Sequence, residues 1–342
     1  MRRGGWIVAC SSLALAVTAP AQEPPLLLAL PTDNHALFSG HYSEFYQVIE
    51  RNVHGVISHP WEGGRYGFVR DPVPRGGETV YTRFHEGMDI RPVRRDARGE
   101  PLDEVRAIAD GKVVYINQAA GASNYGRYVV VEHRWGGSPY YSLYAHLNTI
   151  AVALGDVVRQ GAPLAIMGHT GSGINRERAH VHVELNLLLN TNFEEWHGTY
   201  FKDEPNRHGL YNGINLAGLD LPRLLLALRA DPELTIPKFL GREEVFFKVI
   251  VPNTPNFQLS ARYPWMIAGG APDEKPATWE VSCTRSGLPV GLRPSAESVS
   301  SPQVSFVKAG AAGARGLVTG GGASARLTES GQRYFRLLTF PD

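Results

Sequence analysis

The chain has 342 residues, of which 43% are hydrophobic and 20% charged, enough apolar material for packed cores and too little charge for wholesale disorder. A formal charge of +1, with no long basic run, disfavours a nucleic-acid protein held by phosphate contacts. The 37 glycines and 24 prolines follow no period, which excludes collagen and predicts short strands separated by many turns.

Residues 1–21 read as a secretory signal peptide. Arg2 and Arg3 give a positive start, Trp6 to Thr18 is an uncharged apolar run, and Ala19-Pro20-Ala21 is a small-x-small cleavage pattern. That run falls short of the roughly 20 residues that span a bilayer. Ile7-Val8-Ala9-Cys10 superficially matches a lipoprotein box but lies too near the start to leave an apolar region before it. The expectation is an exported chain, periplasmic or extracellular, with no stable membrane insertion after signal cleavage. Of Cys10 and Cys283, only Cys283 then remains, so no intramolecular disulfide is expected.

Residues 22–65 form a lead punctuated by proline and glycine, with one short helix predicted at Ser43 to Asn52. Residues 66–190 alternate short strands with turns. Val105 to Ala109, Asp110-Gly111 and Lys112 to Asn117 predict a hairpin, and Gly126–Glu132 and Tyr140–Leu147 predict strands around a Gly136-Gly137 turn. Residues 191–236 are turn-rich, with one helix opened by Asp220 and Pro222 and running to about Ala230. Residues 237–342 read as a smaller β-sandwich-like domain, with strands expected at Glu244–Val251, Phe257–Tyr263, Thr278–Cys283, Gln303–Lys308, Arg315–Thr319 and Arg333–Phe340. The fold class is thus mainly β.

None of the 12 histidines lies beyond His208, so any histidine-based chemistry sits in the first two-thirds of the chain. His180-Val181-His182-Val183-Glu184-Leu185 alternates strictly. In a strand, Val181, Val183 and Leu185 face a core while His180, His182 and Glu184 face a groove. His85 and Asp89 would be about 13 Å apart on an extended strand, so the chain must curl between them to share one ion, and Gly87 permits that. His85-Glu86-Gly87-Met88-Asp89 nearly matches the helical H-E-x-x-H motif, but Asp89 replaces the second histidine, and Gly87 with Pro92 opposes a helix. His146, in Tyr144-Ala145-His146-Leu147, reads on its own as a half-buried strand histidine. No G-x-S-x-G is present, and Gly168–Gly173 lacks the Lys-Ser/Thr of a phosphate loop.

Taken together, these segments resemble the lysostaphin-like (LytM-type) zinc metalloendopeptidases that cleave peptidoglycan. The resemblance runs from about Tyr66 to Leu189. It rests on H-x-G-x-D at 85–89, Ala109-Asp110-Gly111-Lys112-Val113-Val114, Tyr144-Ala145-His146-Leu147, Gly155-Asp156-Val157-Val158-Arg159-Gln160-Gly161, Gly168-His169-Thr170-Gly171-Ser172-Gly173 and His180-Val181-His182-Val183-Glu184-Leu185. It departs where Val181 and Val183 replace the family's usual residues, and where His169 stands for a small hydroxyl residue. The resemblance implies an antiparallel-sheet peptidase domain with a central groove. It implies one Zn²⁺ per chain held by His85, Asp89 and His182, with His146 and His180 as catalytic residues beside the activated water. It implies peptidoglycan stem or cross-link peptides as substrate, and the charge balance already argues for no nucleic-acid partner. Glu184, His133, His169, His197 and His208 receive no role. The alternative is a non-catalytic LytM-like scaffold or amidase activator, whose expected mark is missing ligands, whereas all five polar positions are present.

Overall fold

The computed structural model describes residues 1, 25–47, 51–53, 55–272, 275–309 and 315–341. Residues 2–21 of the expected signal peptide, with Cys10, and His54 lie outside the described residues. Among the described residues, no helix is long and apolar enough to cross a membrane.

The fold is mainly β, built from antiparallel sheets. Among the described residues, a seven-stranded sheet runs in the order Val157–Val158, Gly111–Asn117, Tyr128–Trp135, Ser138–Ala145, Val181–Leu188 and Leu216–Gly218, with Met88–Ile90 pairing on Val181–Leu188. The strictly alternating segment is the strand expected from its pattern. Val181, Val183 and Leu185 are completely buried in the main core. Burial of such side chains contributes about 1.5–3 kcal/mol each. Tyr128–Trp135 and Ser138–Ala145 meet through Trp135 and Ser138, so the two-residue loop Gly136-Gly137, at φ +57° and +72°, is the expected hairpin turn.

The hairpin expected at Asp110-Gly111 does not form. Glu104–Arg106 pairs with Pro163–Met167 in a three-stranded sheet, whereas Gly111–Asn117 pairs with Tyr128–Trp135 in the large one. Asp110 carries the chain from one sheet to the other, its carboxylate accepting from the Gln160 amide at 2.8 Å and from Arg159 at 2.9 Å. The helix expected at Ser43 to Asn52 is also corrected. Helix Tyr42–Phe45 is a single turn, because Phe45 and Tyr46 bury against the sheet and Tyr46 bridges to Ile90 in extended conformation.

Helix Leu221–Ala230 begins as expected, with Asp220 accepting from the Arg223 amide and Pro222 in the first turn. Further on, a four-stranded antiparallel sheet runs Pro289–Ser295, Thr278–Cys283, Phe247–Pro252, Gln303–Val307. Two segments expected as strands are helical: Leu259–Arg262, and Glu329–Leu337, capped by Thr328. Phe335 packs edge-on against Phe247, so a helix rather than a second sheet faces this one. Cys283 is free and buried. The core is continuous across the expected boundary near residue 237. Tyr263 Oη accepts from the Leu188 amide at 2.8 Å, and the Asn190 side-chain amide donates to Leu337 and Phe340 carbonyls at 2.7 and 3.1 Å.

His133 is a structural histidine. Its Nδ1 donates to the Asp110 carbonyl at 2.7 Å, its Nε2 lies 2.7 Å from Ser142 Oγ, and its ring stacks on Trp135. Burial lowers its pKa to about 4, the Asp110 carbonyl only partly opposing this. The unfolded chain, titrating near 6.5, therefore binds the proton more readily than the folded one between those values. Stability contributed by neutral His133 is present above pH 6.5 and falls by up to about 3 kcal/mol as pH drops to 4. Urea unfolding at pH 7.5 and 4.5 should show that His133→Gln loses that part of the acid sensitivity.

Candidate functional site

The Met88–Ile90 and Ser138–Ala145 strands flank the start of Val181–Leu188, and the register sets His182 opposite Asp89 on one side and Ala145 on the other. Cross-strand partners present their side chains to one face, so Asp89 and His182 meet directly. His85 ends the Glu78–His85 strand of a long ribbon with Gly67–Arg75. The chain then turns through Glu86-Gly87. A Cβ at Gly87 would stand 2.4 Å from the Val183 carbonyl, so glycine is required here by close approach. His146 follows its strand at φ +61°, a left-handed conformation that is unfavourable for a non-glycine residue and that marks functional sites.

The structure brings all five predicted residues together, each 7% exposed or less. His85 Nε2, Asp89 Oδ1 and His182 Nδ1 form a triangle with sides of 3.0, 2.9 and 3.2 Å. His85 Nδ1 donates to the Arg65 carbonyl at 2.7 Å, and His182 Nε2 donates to Glu184 at 2.7 Å. The three facing atoms converge on one buried point that takes a single positive charge, either a proton on His182 Nδ1 or a metal ion in its place. Ligands about 2.0–2.2 Å from one zinc ion in tetrahedral geometry stand roughly 3.3 Å apart, so the donor set and its spacing fit such an ion. Among the described residues, no other three His, Cys, Asp or Glu side chains converge in this way.

The other two histidines are wired alike. His146 Nδ1 donates to the Thr170 carbonyl at 2.9 Å, and His180 Nδ1 to the Arg178 carbonyl at 2.6 Å. Their Nε2 atoms are left as acceptors. The two rings are 4.6 Å apart, and His180 Nε2 lies 3.5 Å from Asp89 Oδ1. Burial, reinforced by His180 and His182, holds the His146 pKa well below the ordinary value. Burial likewise lowers His180 and His85, outweighing Asp89. All three are therefore neutral near pH 7. His182 is the exception: burial disfavours its charge, but hydrogen bonds with Asp89 and Glu184 push it up to about 10. Burial would raise the Asp89 carboxyl, yet His85, His180 and Arg70 hold it well below the carboxylate range. Positive charge is favoured at this one point.

Two contributors lie outside the five predicted residues. Arg70, on the Gly67–Arg75 strand, donates to Asp89 Oδ2 at 2.6 Å and to the Gly63 carbonyl at 2.9 Å. It thereby leaves Asp89 Oδ1 for the triangle. Glu184, given no role above despite sharing the face of His182, is fully buried beneath it. It also accepts from Tyr125 Oη at 2.7 Å and from the Asn186 amide at 2.9 Å. The groove over the site is about 570 Å³ and includes His208 and Tyr125 in its walls. His197 packs between Phe193 and Phe201 instead, and His169 pairs with Glu100 at 2.9 Å. In the lead, neither His35, His41 nor His59 joins the triangle.

Residues 83–193 match the profile of peptidase family M23. An uncharacterized metalloprotease of Haemophilus influenzae is 32% identical over 117 residues, which cover 34% of this chain and 22% of that protein. The murein hydrolase activator EnvC of Escherichia coli is 43% identical over 68 residues, 20% of this chain and 15% of that protein. The lipoprotein NlpD of Yersinia enterocolitica is 36% identical over 76 residues, 22% of this chain and 70% of that sequence. The chain thus spans less than a quarter of the first two proteins' length. Among solved structures, the catalytic domain of the antimicrobial peptidase lysostaphin from Staphylococcus simulans is 26% identical, covering 35% of this chain and 76% of that one at a TM-score of 0.25.

A carboxylate that fixes the tautomer of a ligand histidine typically accounts for 10–100-fold in metal affinity. Glu184→Gln should weaken Zn²⁺ binding by about that factor, measured by competition with a fluorescent chelator, while thermal unfolding confirms an intact fold.

Proposed function

The chain belongs to peptidase family M23, and from that premise we propose that it is a zinc-dependent endopeptidase that hydrolyses peptide bonds in peptidoglycan stem or cross-link peptides. The observation that carries the proposal is the buried triangle of His85 Nε2, Asp89 Oδ1 and His182 Nδ1 with two neutral histidines beside it. In this reading His85, Asp89 and His182 hold the zinc ion. When bound, zinc supplies a Lewis acid that polarises the scissile carbonyl and acidifies water.

The chain's own groups do the rest. His146 and His180, each fixed by a carbonyl at Nδ1, present basic Nε2 atoms to the groove. One accepts the proton of the attacking water, and either then serves the developing oxyanion or the leaving amine. Their low pKa values keep them unprotonated, ready for the first transfer. Arg70 and Glu184 act through Asp89 and His182 as positioning residues. Residues 66–190 form the peptidase unit, and residues 191–236 and 237–342 build onto it. The chain is exported, to the periplasm or the cell exterior.

A second reading draws on the likeness to EnvC, a murein hydrolase activator: a non-catalytic partner of another wall enzyme. The complete ligand set argues against it.

The test uses the full chain with one equivalent of zinc and purified peptidoglycan, counting new amino groups with and without a chelator. Chelator-sensitive release is expected, and no release from zinc-loaded protein favours the activator reading. His182→Ala should lose zinc binding and hydrolysis together. His146→Ala should keep zinc while losing about 10²–10⁴-fold in rate; full activity in that variant contradicts the role given to it.

A further inference from the structure

Beyond Tyr125 the groove is walled by a segment that lies outside the M23 match, through His208, Asn212, Gly213 and Ile214. The Tyr125 ring stands 5.7 Å from the His182 ring on one side and 5.5 Å, edge-on, from the His208 ring on the other. His208 is thus two ring contacts from a ligand histidine, a distance that an extended peptide crosses in about three residues.

Three asparagines hold this wall in one shape. Asn206 Oδ1 accepts from the His208 amide and from the Asn212 side-chain amide, each at 3.2 Å, and Asn206 Nδ2 donates to the Gly209 carbonyl at 2.9 Å. Asn212 Oδ1 accepts from the Ile214 amide at 3.0 Å. Fully buried Asn215 donates to the Leu210 and Asn190 carbonyls, each at 2.9 Å. A peptide that meets the wall finds its groups already placed, so little ordering entropy is lost on contact.

The chemistry of the wall centres on the His208 ring. Its Nδ1 lies 3.0 Å from the hydroxyl of Tyr128, a residue completely buried in the sheet. Its Nε2 has no hydrogen-bond partner among the described residues, yet that atom is not enclosed, because the ring is only partly buried and lines the groove. Burial, reinforced by Arg207, lowers the His208 pKa, so the imidazole is neutral near pH 7. A neutral imidazole engaged at Nδ1 has one further hydrogen bond to give, at Nε2. Ile214 adds an apolar side chain, 36% exposed, to the same wall.

We propose that His208 is a substrate-binding residue: its Nε2 hydrogen-bonds a main-chain group of the peptide about three residues from the scissile bond, while Ile214 carries an aliphatic side chain of that peptide. The inference rests on the peptidase reading for the identity of the peptide. The accessible nitrogen on a fixed wall stands without it.

The test compares a synthetic cross-linked stem peptide with versions shortened one residue at a time from either end, using the zinc-loaded full chain. His208→Phe keeps the ring and removes Nε2. It should weaken calorimetric binding of the longest peptide about three- to tenfold, the worth of one hydrogen bond, with most of the kinetic effect in KM rather than kcat and with zinc affinity retained. The difference should vanish once the peptide, shortened from one particular end, no longer reaches the wall. His208→Gln, whose amide reaches the position of Nε2, should restore most of the binding. Thermal unfolding checks each variant, and Ile214→Ser, at an exposed position, should show the same length dependence and decides the matter if His208→Phe does not fold. A length-dependent binding difference without cleavage by the wild-type chain keeps the wall and sinks the peptidase reading. Wild-type binding in His208→Phe, a loss equal for every peptide length, a loss that His208→Gln shares in full, or no binding of any peptide by the wild-type chain overturns the role given to His208, even where peptides are cut.

Discussion

Two imidazole nitrogens and a carboxylate oxygen facing one another at 2.9–3.2 Å inside a protein would repel unless a proton or a metal ion lay between them. Most of the surrounding architecture holds that arrangement in place. The large sheet sets Asp89 and His182 side by side through register alone. The ribbon delivers His85 at its end, and the lead fixes that ring through the Arg65 carbonyl. Arg70 and Glu184 occupy the atoms of Asp89 and His182 that face away from the centre. The lead is thus a structural member of the site as well as a wall beside it.

The parts of the site that were legible in the sequence share one property: their placement follows from local periodicity or from a segment that reads as a unit. His180 and His182 follow from alternation on a strand, and their opposite numbers Val181 and Val183 are buried accordingly. Arg70 was not legible, because its contact with Asp89 joins a ribbon to a different sheet and no spacing rule connects them. Glu184 was visible on the correct face, but whether such a carboxylate meets water or a ligand histidine depends on Tyr125 and Asn186, which arrive from elsewhere.

The fold was legible in the same uneven way. The Gly136-Gly137 turn states its own geometry, whereas Asp110-Gly111 looks the same in sequence and leads the chain out of one sheet into another. Glu329–Leu337 mixes apolar residues at a spacing that a strand or a helix can use, and the Thr328 cap with the Phe247 contact decides for the helix. Tertiary packing settles what short apolar segments leave open.

The strand that carries His182 is closed at its other end by residues far along the chain: Leu188 through Tyr263, and Asn190 through Leu337 and Phe340. An unfinished chain therefore possesses all five polar residues of the site but not the clasp that closes their strand. The far end of the strand beneath these residues is held only when the last part of the chain is present. A truncation after residue 236 would remove the clasp while keeping all five residues.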